Sequence, residues 1–136
     1  MQAKMKDALL FHSATLTEAQ AVSIALVKAG FPRIPRDYLK FWELSDGLLL
    51  DGLELFSCGI HERAGTVFNQ PEILPYQTKY ASGKFFSKRL ILGRTTELLI
   101  CYNAQNRCYE LLNRNNLSVT LKFPRFEDLL YQLVLG

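Results

Sequence analysis

The stretch "IPRDYLKFWELSDGLLLDGLELF", Ile34 to Phe56, decides the fold. Pro35 suits a first helical turn, where its missing amide hydrogen has no intrahelical partner and its fixed φ is already helical, and Asp37 complements the positive end of the dipole. Tyr38, Phe41, Trp42 and Ser45 recur at i, i+3, i+4 and i+7, with Leu39 and Leu44 widening the stripe. Gly47 ends this helix. So many aromatic anchors predict that it lies across the core rather than at the rim. Asp51-Gly52 is a second turn pair, and "LELFS" after it alternates as a first strand.

Toward the N-terminus, "TLTE" (15–18) reads as a capping box in which Thr15 and Glu18 satisfy each other's backbone amides. The helix it opens has a stripe of Ala19, Val22, Leu26 and Ala29 with Ile24 alongside, and Gly30, Phe31 and Pro32 form a left-handed stop. A shorter helix over "AKMKDALLF" (3–11), with Met5, Leu9 and Phe11 as its face, precedes it.

Toward the C-terminus the pattern dissolves between Cys58 and Ser87, where Pro71 and Pro75 argue against one continuous helix or a central strand. About thirty irregular residues in a small domain predict a surface excursion that carries function. Rhythm returns in "RLILGRT", "ELLICYN", "RCYELLNR" and "LSVTLKF", four strands with connections too short for parallel crossovers. "FPRFEDLLYQLVLG" then closes with a helix presenting Phe126, Leu129, Leu130, Leu133 and Val134. The expected fold is α+β: an antiparallel sheet of about five strands, packed against N-terminal helices and a C-terminal helix, with the helices on one face.

At 136 residues, the chain fits one domain spanning 1–136. Its 49% hydrophobic and 21% charged residues predict folding rather than disorder. No apolar run approaches the roughly 20 residues that cross a bilayer, so neither a membrane span nor a signal peptide is expected. Three cysteines, an odd count without zinc or redox spacing, suit a reducing cytoplasm. The net charge of +3 is spread without a block, which is not a nucleic-acid signature. The densest basic stretch interleaves Lys79, Lys84, Lys88 and Arg89 with Tyr80, Phe85 and Phe86, a pattern that can hold a single strand but more often is a solvated loop with inward aromatics.

Catalytic readings find little footing. Cys58 and His61 are the one thiol–imidazole pairing, three residues apart, weighed against a buried free thiol and a surface histidine. A two-residue loop at Ala104 and Gln105 would set Cys101 opposite Cys108, either as small apolar fillers or as a cross-strand disulfide. Asp46, Asp51 and Glu54 cluster near a turn, where Asp-Gly chemistry accounts for two of them by bonds to local backbone. No glycine-rich phosphate loop or metal-ligand spacing is present, so no cofactor and no metal are expected. The Tyr38, Phe41 and Trp42 stripe reads as core rather than ligand pocket.

These ordered features resemble the SUKH superfamily, the Smi and Knr homology group, and particularly its YrhA-like bacterial branch. "IPRDYLKFWELSDGL", "GLELFS", "LILGRTTELLICYNAQNRCYELLNR" and "FPRFEDLLYQLV" carry the likeness, through Pro35, Tyr38, Phe41, Gly47, Leu55, Gly93, Tyr102, Tyr109 and Phe126, over about two-thirds of the chain. These are fold-defining positions, none of them catalytic. The resemblance implies an α+β domain and, for bacterial members, a non-enzymatic immunity protein that binds and neutralises a cognate toxin; some eukaryotic members are regulatory scaffolds. Immunity proteins against nucleases are often acidic, and this chain departs from that unless Asp46, Asp51, Glu54 and Glu62 form a patch. The expectation is therefore a cytoplasmic binding protein with a protein partner, neither nucleic acid nor membrane, in an unassigned oligomeric state. Candidate contacts are Asp51, Glu54, Glu62, Arg63, Asn69, Tyr76 and Tyr80, chosen by position in or beside the excursion.

Overall fold

Thr15 starts the first helix as its sequence requires: its hydroxyl accepts from the Glu18 amide at 3.1 Å, and the Glu18 carboxylate accepts from the Thr15 amide at 3.0 Å. Gly30, at φ 93°, stops it. The Gly30 amide donates to Val27 at 3.0 Å and the Phe31 amide to Leu26 at 2.9 Å, the paired reverse bonds of a Schellman end. The computed structural model describes residues 9–10, 14–58, 61–63, 66–68 and 72–135, with backbone alone at 9–10, 61–63 and 66–68.

In chain order the elements are β1 (Leu9–Leu10), α1 (Leu16–Lys28), α2 (Arg36–Trp42), β2 (Leu48–Leu50), β3 (Leu53–Leu55), β4 (His61–Arg63), β5 (Thr66–Phe68), α3 (Ile73–Tyr80), a 3₁₀ turn (Lys84–Phe86), β6 (Arg89–Arg94), β7 (Leu98–Asn103), β8 (Cys108–Asn113), β9 (Val119–Phe123) and α4 (Phe126–Leu135). The main sheet is antiparallel in the order β1-β2-β3-β6-β7-β8-β9, and β4 and β5 form a separate hairpin. The fold is α+β. Two short strands exceed the expected five: β2, which Asp51 (φ 41°) and Gly52 (φ 87°) fold back onto β3 in a type I′ hairpin, and the two-residue edge strand β1. At Leu9 and Leu10 the expected N-terminal helix is thus replaced by strand; the rest of that predicted helix lies outside the described residues.

Pro35 stands one position ahead of the first turn of α2, at φ −67° and ψ 150°, with its carbonyl accepting from the Tyr38 and Leu39 amides. Tyr38, Phe41, Trp42 and Ser45 are buried as their spacing predicts. Leu44 is not part of that stripe: the helix ends at Trp42 and leaves it 80% exposed. In α1, Ala19 and Leu26 enter the core, while Ile24 and Ala29 face outward. Phe126 of α4 meets Tyr38 edge-on at 5.2 Å, Phe41 at 5.7 Å and Tyr109 of β8 at 5.6 Å, so one ring cluster ties both helices to the sheet.

From Ile73 onward, the segment read as a surface excursion is instead built into the core. Pro75 is tolerated as the third residue of α3, where a backbone amide has no intrahelical partner. Ile73, Tyr76 and Gln77 are buried. Gln77 does the work of a strand: after Leu55 and Gly93 the strands β3 and β6 part, and its side-chain amide accepts from the Ile91 amide at 2.9 Å and donates to the Ile91 carbonyl at 2.6 Å. The segment also reaches the sheet face opposite Tyr109, where Arg89, paired with Glu110, lies over the ring of Phe85 at 4.1 Å. Helical cover is therefore not confined to one face. No helix among the described residues is long and apolar enough to cross a membrane.

Gly93 allows β3 to approach β6: a Cβ there would fall against the Glu54 carbonyl oxygen and 2.9 Å from Leu55 Cδ2. Gly93→Ala is expected to lower stability by about 2 to 3 kcal/mol in urea unfolding, as overpacking against backbone does. Gln77→Leu strands two buried backbone groups and is expected to cost about 3 kcal/mol in the same measurement, whereas Thr78→Ala, on the exposed side of α3, should change little.

Candidate protein-binding surface

The predicted contact residues fall into three groups. Glu54 pairs with Arg94, whose guanidinium lies 5.3 Å from the Tyr76 ring centre; Tyr76 stacks in turn on Phe56 at 4.3 Å and Tyr80 at 4.6 Å. Glu54, Tyr76 and Tyr80 are thus brought together through Arg94. Tyr76 is only 7% exposed, a correction to its assignment as a surface contact, because the turn of α3 that carries Gln77 inward carries it too. Tyr80 is 52% exposed. Asp51 is exposed at the hairpin turn and takes no part in this cluster. Glu62 and Arg63 belong to β4, described in backbone only, and Asn69 lies outside the described residues.

Asp46 does not join an acidic surface patch. Asp46 is 3% exposed; one carboxylate oxygen accepts from the Cys58 amide at 2.8 Å and the other from the Cys58 thiol at 3.4 Å. Cys58 is twelve residues away, so Asp46 makes a core tie where its Asp-Gly context predicts a local turn bond. Burial first, and the Asp46 charge second, push the Cys58 thiol up to about 12. An activated cysteine needs the reverse, a neighbouring cation or helix N-terminus that favours thiolate. His61, the other half of the thiol–imidazole pairing, is described in backbone only.

The Cys101–Cys108 juxtaposition is also corrected. Cys101 faces Glu110 and Cys108 faces Asn103, because the loop is Ala104 to Arg107, four residues long, with the Asn103 side chain accepting from the Gln105 and Asn106 amides at 3.1 Å each. All three cysteines are free. Burial, then the charge of Glu110, raises the Cys101 thiol as well. Glu110 itself, 1% exposed, accepts from Arg89 at 2.8 Å and from the Asn103 amide group at 3.2 Å. Arg89 of the basic stretch is therefore spent internally, Phe86 is buried and Phe85 is half-buried, which is the solvated-loop reading of that stretch.

One concave feature among the described residues was not among the predicted contacts. It is an open groove of about 1170 Å³ between α1, the 32–36 connection, α2 and the β7–β8 turn. Its floor is apolar: Ile24 and Val27 on the outer flank of α1 are 57% and 53% exposed, with Leu39 and Tyr102 beside them. Lys28, Arg33, Arg36 and Arg107 form its rim. One sequence signal pointed to it: Ile24 and Val27 are aliphatic yet lie off the Ala19–Val22–Leu26 stripe, so the core does not use them. The approach of Arg107, more than seventy residues away in sequence, needed the fold.

No protein-family model and no curated protein matches the chain.

With its thiol raised from the ordinary value of 9 to about 12, Cys58 holds about a thousandfold less thiolate at pH 8 than an unperturbed cysteine would. Labelling with iodoacetamide at that pH, read by peptide mass spectrometry, should be slow at Cys58 and Cys101 in the native protein and fast at both in urea. Because a thiol pKa raised by folding favours the protonated native state, stability should fall as pH rises from about 9 toward 12.

Proposed function

We propose that this chain is a non-enzymatic binding protein of the SUKH kind that works in the cytoplasm as an immunity protein, neutralising a cognate bacterial toxin by direct contact. The observation that carries the reading is the groove: two half-exposed aliphatic side chains on one helix flank, beside Leu39 and Tyr102, form a concave apolar surface. Isolated exposed apolar residues are ordinary, but a contiguous concave set is characteristic of protein docking. The residues behind the family resemblance act as scaffold, which supports the same view: Tyr38, Phe41, Tyr109 and Phe126 share one ring cluster, and Gly93 sets the β3–β6 approach. Inhibition would then come from occlusion or distortion of the toxin over roughly 800 Å² per partner.

The test is capture from the native cell with tagged protein, identification of bound proteins, and reconstitution with purified components. A toxin bound with a Kd of about 1 nM and inhibited on binding is the expected result. An unrelated housekeeping partner would replace the immunity reading with a regulatory scaffold, and the absence of any partner that binds in purified form would overturn both.

A further inference from the structure

The groove's rim carries one sign of charge. Lys28 closes α1, Arg33 and Arg36 flank the connection to α2, and Arg107 approaches from the β7–β8 turn; no Asp or Glu is among the groove's lining residues. None of the four cations has an ion-pair partner among the described residues. Three described arginines outside the groove are ion-paired, Arg89 with Glu110, Arg94 with Glu54, and Arg125 with Asp128 and Glu127, while Arg114 donates to the Thr95 carbonyl. Four unpaired like charges around a low-dielectric apolar floor focus a positive potential into the concavity. Bringing carboxylates to that rim relieves the repulsion, and laying aliphatic side chains on Ile24 and Val27 removes exposed apolar surface from water.

We propose that this groove receives an acidic amphipathic segment of a protein partner, with apolar side chains at helical spacing on Ile24, Val27 and Leu39 and carboxylates toward Lys28, Arg33, Arg36 and Arg107. This rests on the reading of the groove as a docking surface and names the chemistry of what docks. Nucleic acid fits less well: single strands need aromatic platforms, whereas the floor is mainly aliphatic and Tyr102 already packs on Tyr109, with ring centres 5.1 Å apart. A bilayer fits less well because the surface is concave. The buried Asp46 and the paired Glu54 point the same way, since neither carboxylate is placed to act as an acidic decoy for a basic active site.

The experiment pans a random peptide display library, in parallel, on the full chain and on Arg33→Glu/Arg36→Glu. Both positions are exposed and Arg36 opens α2, where a carboxylate complements the dipole, so the variant keeps its fold, checked by circular dichroism. Peptides enriched on the wild type should be net acidic with apolar residues at i and i+3 or i+4. Their affinity should fall about tenfold on the double variant and weaken with added salt. Ile24→Ser should weaken them without changing the salt dependence. Neutral or basic peptides, equal binding to the double variant, no enrichment, or tighter groove binding of an oligonucleotide or of phosphatidylserine vesicles would each overturn the proposal. A native partner that binds the double variant undiminished would leave the binding-protein reading standing and remove this one; an enriched acidic peptide without any native partner would do the reverse.

Discussion

The Phe56 carbonyl is the point on which the structure turns. The Tyr38 hydroxyl lies 2.5 Å from it and the Trp42 indole donates to it at 3.1 Å, just where β3 leaves β6. The Tyr38 oxygen is also 3.1 Å from the Leu92 carbonyl on β6, while the Phe56 amide donates to that same Leu92 carbonyl at 2.8 Å. Two side chains of one helix thereby clamp the diverging strands. A buried carbonyl without a donor is costly, so the aromatic helix has to lie across this junction. Burial, chiefly, holds the Tyr38 phenol in its protonated, donating form. Because Tyr38 also meets Phe126 edge-on, the position of α4 follows from the same constraint.

Much of this architecture was legible in the sequence. The capping box at Thr15, the Schellman stop at Gly30, the stripe of Tyr38, Phe41 and Trp42, the β6–β9 meander and the closing helix are local patterns whose physics lies within a few residues. What escaped depended on distant partners. The helix through Pro75 is held by Gln77 reaching Ile91, fourteen residues on, a contact that no periodicity records. The cysteine register shifted because Asn103 wraps a four-residue turn with its side chain. Leu44 broke the stripe because the helix unwound one turn sooner than the apolar spacing continued.

The candidate site divides along the same line. Tyr80 and Asp51 are exposed as a loop assignment predicts, but Tyr76 and Asp46 were absorbed by the core through tertiary contacts. Three carboxylates are engaged in the fold: Asp46 by Cys58, Glu110 by Arg89 and Asn103, Glu54 by Arg94. The groove is different. Ile24 and Val27 lie outside the core cluster and the groove's cations form no ion pair among the described residues, which is why a helix read for its inward face conceals it.

Gln77 has a consequence for how the chain can vary. A strand edge sealed by a side-chain amide, rather than by the next strand, uncouples the sheet from whatever lies between β3 and α3. The β4–β5 hairpin lies in the segment between those two anchors, whose ends are drawn together by the Ser57–Glu72 bridge and the Ile73 amide bond to Ser57. A change of length between Ser57 and Glu72 meets that closure before it meets the main ladder, whose strand order passes directly from β3 to β6. The fold thus has a junction at which length and sequence can diverge while the ladder keeps its register.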